Sequence, residues 1–179
     1  QGHHVAEGLE LRERLDLDLP DALTREVHDR SHVLERRAAT VGHVEGAFAR
    51  HGCVPAYNTI LSVRGEVLHN HGHQNLLHET DLVLLDAGAE NKSGYCADVT
   101  RTYPQSGRFR PEQRAIYEAV LRAQNETIAL MKPGAHMRDL HETAIKILGE
   151  DLLRLGLVSR NEREQVRMYF PHGLGHDLG

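Results

Sequence analysis

The sequence predicts an α+β domain in which helices and antiparallel strands occupy separate stretches of the chain. Apolar residues recur at helical spacing before residue 52 and after residue 110. Between them lie short apolar runs separated by turn-forming residues, which is typical of hairpins. The chain has 179 residues, enough for one ordinary domain with a sizeable core.

The first predicted helix covers Asp21 to His51, where charged residues alternate with spaced apolar ones. Gly52 suits the C-cap of this helix. Residues 1–25 are mostly polar and include Pro20, so we predict a linker or remnant there. The domain itself is then expected to cover residues 26–179.

The β region follows. The predicted strands, in chain order, are 60–63, 67–69, 82–86 and 95–103. Arg64–Glu66 and the run 90–94 read as turns, and Pro104 is expected to stop the last strand.

Two further helices are predicted downstream. The first covers Arg114–Lys132, with Pro111 in its first turn. The second covers Met137–Leu155 and closes at Gly156. Residues predicted to form their apolar stripes are Ile116, Ala119, Val120, Ala123, Leu130, Met131, Leu140, Ala144, Ile147, Leu148 and Leu152. Residues 166–170 are predicted as another strand.

The composition of the chain argues against some classes of function and favours others. A net charge of -5 argues against a nucleic-acid partner, and no apolar run is long enough for a membrane span. Cys53 and Cys96 lack CxxC spacing, which favours reduced thiols and a cytoplasmic location. The 14 histidines raise the expectation of a metal enzyme, although any single one is better explained as a solvated surface residue.

Two aspartates fall inside the predicted hairpin of 82–103. With a turn centred near Lys92, Asp86 faces Asp98 directly, at a Cβ separation of about 4.5–5.5 Å. Two ionised carboxylates that close repel each other, so positive charge is expected beside them. Arg101 or Lys92 could supply it, although Lys92 belongs to the turn, and a divalent cation or a pair of them would do so better. Either aspartate alone would be explained as a strand-end residue that satisfies turn amides.

Two histidine-rich segments accompany the hairpin. His172 and His176 lie in HGLGH, where the glycines make a helix improbable but allow close approach to a site. His69 begins the cluster HNHGH after the second predicted strand. Each segment taken alone is equally compatible with an exposed polar loop.

Together, the motifs NTILSVRGEVLHN, DLVLLDAGAE…YCADVTRTYP and FPHGLGH resemble the pita-bread metallopeptidases, in their Xaa-Pro aminopeptidase and prolidase branch. The resemblance covers roughly Gly52 to Gly179, while the amino-terminal segment matches poorly. It implies a partial pita-bread fold, with an antiparallel sheet and helices on one side. It also implies hydrolysis of the peptide bond before a proline by water activated at two divalent metal ions, most commonly manganese (Mn²⁺).

The same resemblance implies the roles of individual residues. Asp86 matches a ligand of one metal, Asp98 the ligand that bridges both, and His176 the histidine ligand. His69 and His172 match histidines near the scissile bond, and Tyr57 is a looser match to a substrate-binding tyrosine. The implied partner is a peptide with proline at its second position, and enzymes of this resemblance are often homo-oligomers.

One departure concerns the ligand set, because the family adds two glutamates and a histidine downstream of HGLGH. The chain begins with Gln1 and stops at Gly179, so we expect a piece of a longer polypeptide whose second half is truncated. With three of the family's five ligands, the chain on its own is expected to bind metal weakly. It is either an incomplete piece of an active enzyme, which we favour because the sequence stops within a motif, or a molecule that cannot catalyse.

Several alternatives stay open. An Xaa-Pro dipeptidase fits the motifs less well than an aminopeptidase, and the absent glutamates favour a non-catalytic peptide-binding module. Methionine aminopeptidase and creatinase share the fold but fit the motifs or the retained aspartates poorly. The remaining alternative is a plain α+β domain with an accidental acidic hairpin.

Overall fold

The computed structural model describes residues 37–74 and 76–176, which form two compact units that meet in sequence at Arg108 and Phe109. The predicted linker of residues 1–25 and the first half of the predicted amino-terminal helix lie outside the described residues.

The described residues of the first unit, 37–74 and 76–108, form one helix and five strands. They are α1 (Arg37–Arg50), β1 (Val54–Pro55), β2 (Ile60–Ser62), β3 (Leu82–Ala87), β4 (Ala89–Glu90) and β5 (Val99–Pro104). All pairings are antiparallel, with β1 on β4 and β3 between β2 and β5. The prediction of an α+β fold with antiparallel strands is confirmed.

Helix α1 ends as the sequence predicts. Gly52 has a φ of 72°, a left-handed conformation that glycine adopts without steric cost. The amide of Gly52 donates to the carbonyl of Ala49, and that of Cys53 donates to Phe48. This pair of bonds is a Schellman motif, and it turns the chain directly into β1.

The first core lies on one face of β3. Val83, Leu85 and Ala87 are buried, whereas the alternate residues of β3 are half-buried. The residues packed in this core are Val41, Val44, Phe48, Leu61, Leu77, Val83, Leu85, Ala87 and Ala89. Because side chains alternate along a strand, Asp86 is directed away from this core.

Two strand predictions in the first unit need correction. Residues 67–69 lie in turns rather than a strand, with the amide of Val67 bonded to the carbonyl of Arg64, and Val67 and Leu68 are about half exposed. The predicted strand of 95–103 pairs continuously only from Val99, preceded by an isolated bridge between Cys96 and Glu90. The turn that precedes it, closed by Asn91, occupies part of the predicted strand.

The second unit contains the helices α2 (Pro111–Ile128), α3 (Met137–Arg154) and α4 (Arg163–Val166). Helix α2 presents Ala119, Ala123 and Thr127 to the interior, at i, i+4 and i+8. The core of this unit consists of Ile145, Leu152, Val158 and Val166, with Leu148 and Phe170 packed against it. The predicted stripe of α3 is confirmed.

Two predictions in the second unit need correction. Helix α2 ends four residues before Lys132, because its last turn tightens into i→i−3 bonds ahead of Pro133. Its predicted stripe is right at Ala119 and Ala123 but wrong at Ile116 and Val120, which are 39% and 52% exposed.

The predicted strand of 166–170 is wrong. The segment continues helical turns, with the amide of Phe170 bonded to the carbonyl of Val166. Val166 and Phe170 reach the core at i, i+4 spacing, and the intervening Met168 is exposed. The alternation of apolar residues at 166, 168 and 170 therefore resembles a strand without the burial of one.

Across residues 37–74 and 76–176, no helix is both long enough and apolar enough to cross a membrane.

Candidate metal centre

Asp86 and Asp98 lie on one face of the hairpin, but not directly opposite each other. Asp86 pairs with Thr100, and Ala87 pairs with Val99. The same register places Asp98 level with Gly88. The predicted register is therefore wrong by two residues, because the hairpin is centred on Ser93 rather than Lys92. A shift of two preserves the face of the sheet, so the carboxylates remain diagonal neighbours.

Tyr57 joins the two carboxylates. Its hydroxyl lies 2.5 Å from Oδ1 of Asp86 and 2.9 Å from Oδ1 of Asp98. All three side chains are half-buried. One oxygen of each carboxylate therefore lies within hydrogen-bond distance of the same hydroxyl. A ligand shared by the two aspartates requires the same convergence.

Gly88 makes this arrangement sterically feasible. A Cβ at Gly88 would lie 1.7 Å from the carbonyl oxygen of Ala97 and 2.8 Å from Cε1 of Tyr57. The space that a side chain at position 88 would fill is thus taken by the opposing backbone and the tyrosine ring. Gly88 was not among the predicted site residues, although a glycine directly after a strand signals such a close approach.

The electrostatics of the site keep Tyr57 protonated. Burial raises the pKa of the Tyr57 hydroxyl well above its ordinary value, and the hydrogen bonds to Asp86 and Asp98 raise it further. A phenolate beside two carboxylates would add a third negative charge. Tyr57 therefore acts as a donor at neutral pH.

The donor set fits a hard divalent cation. Carboxylate oxygens are preferred ligands of such ions, and the two groups are held together by one neutral donor. Within residues 37–74 and 76–176, Asp86 makes no ion pair with a lysine or arginine. Asp86 and Asp98 would hold the metal in this unit, and no group of three or more metal-binding side chains is formed by the residues described.

The candidate histidines are exposed. His69 lies in the turn after β2, with a φ of 54°. His172 and His176 belong to the second unit, where the ring of His172 bonds the carbonyl of Gly173 through Nδ1. Phe170 contacts the ring of His172 edge-on at a centroid distance of 5.1 Å. The approach of His172 and His176 to the carboxylates stays a prediction.

The family model of metallopeptidase family M24 matches residues 19–179. The chain belongs to the M24 metallopeptidases. The match begins far upstream of Gly52, so the expectation that the amino-terminal segment resembles the family poorly is corrected. M24 enzymes use divalent metal ions, which agrees with the donor set.

Individual M24 relatives are Xaa-Pro aminopeptidases. The chain is 48% identical to the probable Xaa-Pro aminopeptidase of Talaromyces marneffei over 102 residues, covering 54% of this chain and 22% of that one. It matches the structure of Pseudomonas aeruginosa aminopeptidase PepP with a TM-score of 0.75 and 30% identity, covering 89% and 37%. It matches zinc-substituted Escherichia coli aminopeptidase P, in complex with product, with a TM-score of 0.74 and 31% identity, covering 87% and 37%.

These structural matches confirm a partial pita-bread fold. The chain spans about a fifth to two fifths of the length of these M24 relatives.

Proposed function

We propose that this M24 chain acts in metal-dependent hydrolysis of the peptide bond before a proline, as an Xaa-Pro aminopeptidase. The observation that carries the proposal is the pair Asp86 and Asp98 gathered around the hydroxyl of Tyr57. The names of the relatives support the proline specificity, since those proteins are described as Xaa-Pro aminopeptidases.

In the proposed site, Asp86 and Asp98 supply the carboxylate oxygens for two divalent cations. When bound, such cations lower the pKa of water and polarise a peptide carbonyl. We propose Mn²⁺ as the metal, because hard oxygen donors suit it. A single imidazole, from His176, would leave the site tolerant of other divalent metals.

The remaining residues act on the substrate. Tyr57 holds its proton between the two carboxylates and fixes their separation, and we propose that the same phenol contacts the bound peptide. His69 and His172 are proposed to donate hydrogen bonds to the oxygen of the scissile carbonyl, where negative charge develops. The substrate is a peptide with proline at its second position.

Two other functions remain worth testing. A prolidase would use the same carboxylates and differ only in cutting Xaa-Pro dipeptides. A peptide-binding module would retain the fold without turnover. The retained pair of carboxylates favours the enzyme, because a binding module has no need to bring two negative groups together.

The test is hydrolysis of three peptides by the full-length polypeptide with Mn²⁺ present: a tripeptide with proline second, its alanine counterpart, and an Xaa-Pro dipeptide. If the protein is an aminopeptidase, we expect cleavage of the proline tripeptide alone. Cleavage of the dipeptide alone would establish a prolidase. Replacing Asp98 by Asn should abolish turnover. Binding of the tripeptide without turnover, unchanged in the Asp98→Asn variant, would support the module and contradict the enzyme.

A further inference from the structure

The loop between β2 and the buried Leu77 carries His69, and little apolar packing holds its tip. Val67 and Leu68 are 49% and 52% exposed, and His69 itself is exposed. His69 also has a left-handed φ of 54°, which costs free energy for a residue with a side chain. Contacts elsewhere in the loop must therefore hold this conformation.

His73 provides two such contacts. Its Nε2 donates to the carbonyl of Thr59 at 2.9 Å, fourteen positions earlier in the sequence. Its own carbonyl accepts a bond from the amide of Ala38 at 3.1 Å. The side chain closes the loop onto the residue that precedes β2, and the backbone fastens it to the first turn of α1.

The residue that accepts the bond from His73 is itself held in place. Thr59 is 1% exposed, and its hydroxyl donates to Oε1 of Glu45 in α1 at 2.9 Å. Thr59 is also two residues from Tyr57, which binds both candidate metal ligands. The backbone that places Tyr57 on the carboxylates is thus the backbone that accepts the bond from His73.

The link from His73 back to His69 is short. Asn70 accepts a bond from the amide of Gly72 at 3.1 Å through its side chain, which forms a local Asx turn. Only three residues separate His69 from His73, so the fixed end of the loop restricts the conformations open to His69. Asn70 and His73 together replace the apolar packing that the tip lacks.

We infer that His73 is a positioning residue that holds the loop carrying His69, by closing it onto the Thr59 carbonyl beside Tyr57. The role of His69 at the scissile bond rests on the proposed function. The closure itself rests only on the contacts of His73, Thr59 and Glu45.

The test compares three variants of the whole chain. His73→Ala removes the donor, His73→Gln restores a nitrogen donor near the position of Nε2, and His71→Ala removes an exposed histidine of the same loop. The first measurement is amide hydrogen exchange across residues 65–72, which needs neither metal nor activity. We expect exchange about tenfold faster in His73→Ala, near-normal exchange in His73→Gln, and no change in His71→Ala.

The second measurement is the kinetics of Xaa-Pro tripeptide hydrolysis with Mn²⁺, in the full-length polypeptide that carries the same substitutions. His73→Ala is expected to lower kcat about tenfold with KM little changed, because misplacing a group that acts on the scissile bond affects turnover most. The Gln variant should recover most of kcat.

Unchanged exchange in His73→Ala, or equal acceleration in His71→Ala, would overturn the closure. Faster exchange with unchanged kcat would overturn the positioning role. Absence of hydrolysis in every variant, including the parent chain, would instead count against the proposed function, and the exchange measurement would then decide the closure by itself.

Discussion

Asp86 in the first unit and Asp151 in the second are both shielded carboxylates, but they have different partners. The side chain of Asp151 is 8% exposed and is held by two guanidinium groups, with Arg122 at 2.7 Å and Arg154 at 2.8 Å. Asp86 instead shares the hydroxyl of Tyr57 with a second carboxylate. The chain supplies cations to one aspartate and a neutral donor to the other.

The Asp151 site ties two helices together. Arg122 of α2 bonds Asp151, the carbonyl of Ile147 and Glu150, all on α3. Burial opposes ionisation of Asp151, but the hydrogen bonds from Arg154 and Arg122 outweigh it and hold its pKa below the ordinary range. The hydrogen bonds of Arg122 to Asp151 and Glu150 raise the pKa of its guanidinium group. This network is complete without an external ion.

The partners of Asp86 and Asp151 distinguish a ligand-binding carboxylate from a structural one. A buried charge needs compensation, and at Asp151 the chain provides it. At Asp86 the compensation by Tyr57 is a neutral hydrogen bond, which leaves a function for a bound cation. The variants below alter one site or the other.

The largest effect is expected from Gly88→Ala. A methyl group would collide with the Ala97 carbonyl and the ring of Tyr57, so the hairpin or the tyrosine must move. We expect a loss of about 4 kcal/mol or more in the free energy of unfolding, measured by urea denaturation. The hydrogen bonds from Tyr57 should be lost as well.

Gly42→Ala is the matched control for that substitution. A Cβ at Gly42 meets nothing within 4 Å, and the residue lies inside α1. Alanine is favoured over glycine there, so this variant should be more stable by about 0.5–1 kcal/mol. A Gly88→Ala protein as stable as the parent would show that the close approach at position 88 does not exist.

Asp151→Asn should give the next largest effect. It leaves Arg122 and Arg154 without their shared carboxylate, and we expect a loss of about 2–3 kcal/mol at pH 7. Because the pKa of Asp151 is depressed by folding, its contribution is present above the unfolded pKa of about 3.9 and is lost as pH falls through the lower folded value.

Urea denaturation of the parent and the Asp151→Asn variant at pH 7 and at about pH 2.5 measures this contribution. The difference in stability should shrink at the lower pH. A difference that grows on acidification would contradict the assignment of Asp151 as an ionised partner of the two arginines.

Tyr57→Phe should give the smallest change in stability. It removes one donor shared by two half-buried carboxylates, which water can partly replace, so we expect a loss of about 1 kcal/mol. Added Mn²⁺ should reduce this loss, because a cation compensates the same pair. Thermal unfolding with and without Mn²⁺ measures both values. If Mn²⁺ stabilised neither protein, the pair would behave as Asp151 does, without need of a cation.

The sequence was sufficient for the features that depend on local pattern. Gly52 and Gly156 end their helices as predicted, and the face shared by Asp86 and Asp98 follows from strand alternation. The register was wrong by two because the turn is centred on Ser93, one residue beyond the predicted Lys92, and both residues lie within the same turn-forming run of 90–94. Only the pairing itself distinguishes them.

The missed parts of the site depend on contacts between distant segments. Gly88 is required by Ala97 and Tyr57, and Thr59 acquires its role through Glu45 and His73. No spacing along the chain encodes these contacts. The strand predicted at 166–170 failed for the same reason, since alternation of apolar residues does not report which of them meet the core.

The most direct test of the account is calorimetric titration of the 179-residue chain with Mn²⁺, beside its Asp98→Asn and Asp151→Asn variants. We expect weak but saturable binding by the parent chain and by Asp151→Asn, and loss of that binding in Asp98→Asn. Equal binding by the parent and Asp98→Asn, or no binding by any of the three, would contradict the claim that Asp86 and Asp98 form a cation site.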